Sequence, residues 1–145
     1  MSATFDLEAC REMLKLTPEE VRERLKGGEV RERVQYEGIK GVTQYYNAEV
    51  FPGRVYVSDK RVEMVYVPQK ALQDITAKEI KSLIKGRTKS LRSRAGKEYT
   101  HIVDADDGVA YSKSGDEVVI LEVFPPRSIS KYEEEIYEDP GEFIR

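Results

Sequence analysis

Only one cysteine, one histidine and no tryptophan occur in the 145 residues. A lone Cys10 excludes an internal disulfide and any thiol metal cluster. His101 without a second imidazole or a serine elbow leaves a nucleophilic triad almost nothing to build on. There is no glycine-rich phosphate cradle, and no run approaches the ~20 apolar residues needed to span a bilayer. The chain also lacks a dominant charge. With 24 Lys and Arg against 27 Asp and Glu, the net is -3, too close to balance to draw the whole molecule onto nucleic acid.

The tetrapeptide LEAC, ending at Cys10, resembles a bacterial lipoprotein acylation site. Asp6 and Glu8 nevertheless interrupt the apolar run of about 7–15 residues that a signal peptide needs. The expectation is a cytoplasmic protein without a membrane segment. At this length a single domain over 1–145 is expected, with enough apolar residues for one shared core.

What is present is a repeated phrase. LTPEEVRERLKG begins at Leu16 and ITAKEIKSLIKG at Ile75. Each reads as a short helix with both ends specified. Thr17 with Glu20, and Thr76 with Glu79, have the spacing of a capping box, and Leu16 with Val21, and Ile75 with Ile80, that of a hydrophobic staple. Pro18 suits the first helical position, while Gly27 and Gly86 supply left-handed stops. Helices of about ten residues are marginal alone, so each must lie on something.

Strand-like segments follow each helix. FPGRVYVSDKRVEMVYVP (51–68) is aligned with DDGVAYSKSGDEVVILEVFP (106–125), Gly53 with Gly108, Tyr56 with Tyr111 and Pro68 with Pro125, at the cost of two extra residues near the last turn of the second copy. Val, Ile and Tyr runs broken by Pro-Gly, Ser-Asp and Ser-Gly are strands joined by tight turns. TQYYNAEV and EYTHIVDA add one strand per copy, with EVRERVQY and TKSLRSR as weaker candidates. The expected fold is α+β: internal repeats 14–68 and 73–125, each a helix plus an antiparallel meander, form one continuous sheet with the helices on one face. FDLEACREMLK adds a first helix with Phe5, Ala9 and Met13 in a stripe. Residues 126–145 form a helical closing segment capped by Ser128.

This pattern, an aliphatic residue, Thr, Glu, a further aliphatic residue and Leu-x-Gly or Ile-x-Gly before a meander, written twice, resembles the β-lactamase-inhibitor-protein fold over about residues 14–125. It is similar too to the SmpA/OmlA-type small lipoproteins, which carry one such unit. The resemblance implies that fold and the binding of proteins on the open face of the sheet.

Four groups of residues are candidates for function. DADDG at 104–108 has carboxylates before a glycine, but their spacing is compressed and no closing Glu follows, so a tight turn is expected and no metal. The basic segment 78–97 offers Arg87, Lys89, Arg92 and Arg94 to an anionic ligand or nucleic acid. Against this, no aromatic interrupts Lys78 to Arg94 to stack a base, and the acidic residues Glu133, Glu134, Glu135, Glu138 and Asp139 are available to neutralise it. An enzyme would have to be built on His101 and Asp104. Strand alternation finally sends Tyr46, Ala48, Val50, Val55 and Val57 inward, and Tyr45, Asn47, Arg54 and Tyr56 outward. By the alignment Tyr111 and Lys113 join the outward set. Tyrosine and arginine anchor interfaces, so Tyr45, Arg54, Tyr56, Tyr111 and Lys113 are the expected contact surface for another protein, without catalysis or cofactor; cover by the closing helix or by a second copy in a homodimer is the competing explanation.

Overall fold

The computed structural model describes residues 5–32, 42, 44–48 and 51–137; of 29–32 the backbone alone is described. The expected positions of Val50, Glu138 and Asp139 lie outside the described residues.

Each helix starts where a side chain satisfies its first backbone donors. Asp6 opens α1 (Leu7–Met13) by accepting from the amides of Glu8 and Ala9. α2 (Pro18–Arg24) and α3 (Ala77–Leu83) both carry the full capping box. The Glu20 amide donates to Thr17 Oγ1 at 3.1 Å and the Thr17 amide to Glu20 Oε1 at 2.9 Å; the corresponding bonds at Thr76 and Glu79 are 3.1 and 3.2 Å. Gly27 and Gly86 sit at φ 91° and 92° just beyond these helices, a backbone that L side chains rarely adopt. Ser128 caps α4 (Ile129–Glu135). In α1 the buried stripe is Leu7, Cys10 and Met13, with Ala9 only partly covered.

Among the described residues eight strands form one antiparallel sheet: β1 (Glu29–Glu32), β2 (Gln44–Asn47), β3 (Arg54–Val57), β4 (Val62–Pro68), β5 (Lys89–Arg92), β6 (Thr100–Asp104), β7 (Val109–Ser114) and β8 (Glu117–Val123), in the order β1-β2-β3-β4-β8-β7-β6-β5. The fold is α+β. From the central β4–β8 pair the strands run outward in descending sequence order on both sides.

Strand pairing departs from the residue alignment drawn from the sequence. Tyr45 faces Tyr56 and Tyr56 faces Met64; His101 faces Ser112 and Ser112 faces Ile120. A register irregularity follows Tyr56 in β3 and Ser112 in β7. The offset is fifty-six residues across β2–β4 and β6–β8 (45 to 101, 56 to 112, 64 to 120), and within these strands no gap is needed. Tyr111 corresponds to Val55 and not to Tyr56. Because side chains alternate with period two, that slip of one residue moves Tyr111 to the opposite face.

Helices do not all lie on one face. α1, α2 and α3 share a core with Val55, Val65, Val67, Leu121 and Val123. On the other side, Tyr132 and Ile136 from α4 and the residue after it pack with Met64, Val103, Ala110 and Phe124. The cause is in the central strands: VEMVYVP and VVILEVF are apolar at successive positions, so both of their faces need cover. One helix on the far side supplies it for the β5–β8 half.

Candidate functional site

Across the half of that far face nearer β2, strand pairing lines up Tyr45 and Tyr56, then Arg54 beside Tyr66, and Tyr66 beside Glu122. Tyr45, Arg54 and Tyr66 are half-buried, and Tyr56 is buried at 6% exposure. The Arg54 guanidinium lies over the Tyr45 ring at 5.3 Å and the Tyr66 ring at 6.0 Å, and the Arg94 guanidinium over the Tyr66 ring at 5.8 Å. Such contacts are worth about 0.5–2 kcal/mol each, more as water is excluded. Tyr45 and Tyr56 rings meet at 5.2 Å. Hydrogen bonding to Tyr56 raises the Arg54 pKa further above its usual value, against a smaller opposing effect of burial. Burial raises the Tyr66 phenol above 10, with Arg94 opposing. The result is a strip in which two guanidinium groups lie over tyrosine rings.

The β5–β8 half of the same face holds a buried polar network beneath α4. Ser93 and Ser112 hydroxyls are 2.7 Å apart, and Ser112 Oγ lies 2.8 Å from His101 Nδ1. His101 Nε2 is 2.7 Å from the Tyr132 hydroxyl, which donates to Glu122 Oε1 at 2.5 Å. Since the phenol proton goes to Glu122, the imidazole must donate from Nε2 and accept at Nδ1 when neutral. One direction of donation then satisfies the whole series, Ser93 to Ser112 to His101 to Tyr132 to Glu122. Arg94 Nη2 stands 3.7 Å from the other Glu122 oxygen, joining the network to the strip. Ser112 and Tyr132 are fully buried, and the cavity beside Tyr132, lined by His101, Glu122, Tyr137 and Arg94 among others, has a volume of about 10 Å³. That is room for about one water and for no substrate.

The other expected site residues are distributed differently. Tyr111 is 3% exposed in the core beneath α1–α3. Lys113 pairs across the sheet with Val118 of that same core and reaches the Gly115 carbonyl at 3.4 Å. Neither belongs to the surface with Tyr45, Arg54 and Tyr56. Asp104 does not converge with His101: it alternates to the other face, where its carboxylate accepts from the amides of Gly86 and Asp107 at 3.1 and 3.3 Å. DADDG thus forms a 3-10 turn over Ala105–Asp107 closed by Gly108 at φ 71°. No group of three or more His, Cys, Asp or Glu side chains among the described residues is placed to hold a metal ion.

Basic-segment side chains are engaged with carboxylates. Arg87 approaches Asp106 at 3.8 Å, Lys89 meets Glu133 on α4 at 2.8 Å, and Arg94 meets Glu122. Arg92 lines the small cavity, and its carbonyl accepts from the Tyr137 hydroxyl at 2.8 Å.

Sequence reasoning passed over Tyr66, Ser112, Glu122 and Tyr132. Glu122 carried a signal, as the one carboxylate inside the apolar run VVILEVF. Tyr66 was readable by alternation with Met64. Ser112 and Tyr132 carried none, since their significance lies in partners 11 and 31 residues from them in the chain.

Among the described residues, no helix is long and apolar enough to cross a membrane. No protein-family model, no curated protein and no solved structure matches this chain.

Proposed function

We propose that this chain is a non-enzymatic module that binds another protein, as an inhibitor or accessory subunit, working in the cytoplasm. Its contact surface is the strip of Tyr45, Arg54, Tyr66 and Arg94 on β2–β4 and the segment after β5. One observation carries the reading: α4 covers one half of the far sheet face, while on the other half Tyr45, Arg54 and Tyr66 stay half-exposed and held by their own stacking. Rigid tyrosines flanking an arginine are the composition of an interface centre, because they give contact area at low entropic cost. Protein binding on the sheet agrees with the resemblance to β-lactamase-inhibitor-type folds.

Two other classes fit less well. A base stacking on Tyr45 or Tyr66 would have to displace a guanidinium that already lies over the ring, and Arg87, Lys89 and Arg94 are occupied by carboxylates. An acyl-transfer enzyme needs an accessible nucleophile, whereas Ser112 is sealed.

A photo-crosslinking residue at position 45 tests the reading, with one at the exposed Leu83 on α3 as control. Capture of one discrete protein at 45, lost in Arg54→Ala and absent at 83, is the expected result. Capture only of the chain itself would identify a homodimer; equal capture at both positions would remove the strip as the site.

A further inference from the structure

At the Arg54 end of the strip the sheet runs into a groove of about 610 Å³ between Asn47, Ala48 and residues 51–54 on one side and the turn at 68–71 on the other. Its apolar side is formed by Phe51, Pro52 and Pro68, and its polar side by Asn47, Arg54, Gln69 and Lys70. The wall is set by close backbone packing. Phe51 N donates to the Ala48 carbonyl at 3.1 Å, and a Cβ on Gly53 would come within 2.8 Å of the Tyr66 carbonyl oxygen.

The described lining of this groove carries cations and no carboxylate. Arg87, Lys89, Arg94, Arg11 and Arg127 all have a carboxylate within salt-bridge reach. Arg54 is held instead by rings and by the Tyr56 hydroxyl, and among the described residues neither it nor Lys70 has such a carboxylate. No described lining residue is acidic. Two cations, two side-chain amides and an apolar wall within one groove suit a ligand with a carboxylate, peptide-type donors and acceptors and an apolar side chain.

We propose, building on the protein-binding reading, that this groove takes an acidic peptide segment of the partner: an apolar side chain packs on Phe51, Pro52 and Pro68, and an adjacent carboxylate pairs with Arg54 and Lys70. Asn47 and Gln69 bond the partner's backbone. A free inorganic anion would use the cations but leave the apolar wall bare. Half-buried Arg54, already oriented by Tyr45 and Tyr66, loses little rotamer freedom on pairing, so its charge-assisted bond is a strong one.

The test uses the full chain, labelled with nitrogen-15, titrated with acetyl-Leu-Glu-amide and with its neutral isostere acetyl-Leu-Gln-amide. Expected are saturable amide shifts centred on 51–54 and 68–71 with the acidic probe, at least tenfold weaker binding of the neutral one, and at least a fivefold loss of affinity in both Arg54→Gln and Lys70→Gln. Added salt should weaken the acidic probe alone. Equal binding of the two probes, shifts centred on Arg87 to Arg94, unchanged affinity in Lys70→Gln, or no saturable shift would each overturn the inference. Lys70 is exposed, so its variant answers even where Arg54→Gln folds poorly. If crosslinking at position 45 captures a partner while the acidic probe leaves the groove unmoved, the interface stands and its acidic specificity falls. No capture at 45 together with a positive titration would leave a peptide site without the proposed strip.

Discussion

Tyr132 of α4 donates its hydroxyl proton to Glu122 of β8 across 2.5 Å. With both residues buried, this bond and the His101 contact fix a helix of seven residues that would be marginal on its own.

Removing that hydroxyl leaves Glu122 short of one donor in a buried site. Tyr132→Phe should therefore cost about 1–3 kcal/mol, read as a lower denaturant midpoint. A midpoint equal to wild type would mean that the network does not hold α4 in place.

Tyr45 and Tyr111 should respond oppositely to truncation. Tyr111→Ala empties a core position and should cost about 3–5 kcal/mol, while Tyr45→Ala, on the half-exposed strip, should cost about 1 kcal/mol or less. Thermal melts of the two variants decide it; similar losses would contradict the assignment of Tyr111 to the opposite face.

Cys10 sets an alkaline limit. Burial, with a smaller effect of Asp6, pushes its thiol from 9.0 up to about 12. The unfolded chain releases this proton from about pH 9 while the folded chain keeps it to about 12, so the contribution is intact below pH 9 and is lost as pH rises through that window. Tyr66 and Tyr111, both raised by burial, act in the same direction. Between about pH 8 and 10.5 wild type should lose on the order of 1–2 kcal/mol more than Cys10→Ala, by urea denaturation at each pH. Parallel losses would show that the thiol ionises freely.

The two capping boxes give a paired test of local structure. Thr17→Ala and Thr76→Ala should each cost about 1 kcal/mol, measured by denaturation. Hydrogen exchange should quicken at Glu20 and Glu79, whose amides the threonine hydroxyls accept. No change in either amide would show that the caps do not hold the helix ends.

Much of this fold was legible because its signals are local. The caps at Thr17 and Thr76 depend on a glutamate three residues away. That Tyr45, Arg54 and Tyr56 share one sheet face followed from alternation within single strands, but the burial of Tyr56 there did not. Tyr111 and Lys113 were misplaced because their faces came from aligning one half with the other, where one residue of slip reverses every side chain. The register irregularities after Tyr56 and Ser112 have no unambiguous mark in the sequence.

By itself the sequence determined which segments are helix and strand, where the helices begin and stop, and which way most strand residues point, since each depends on neighbours within a few positions. Tertiary structure decided that α4 lies across the sheet from the other helices, that Arg94 reaches Tyr66 and Glu122, and that His101 is sealed beneath Tyr132. Those outcomes depend on two apolar strand faces competing for cover and on carboxylates finding donors far along the chain, and only the packed molecule sets these pairings.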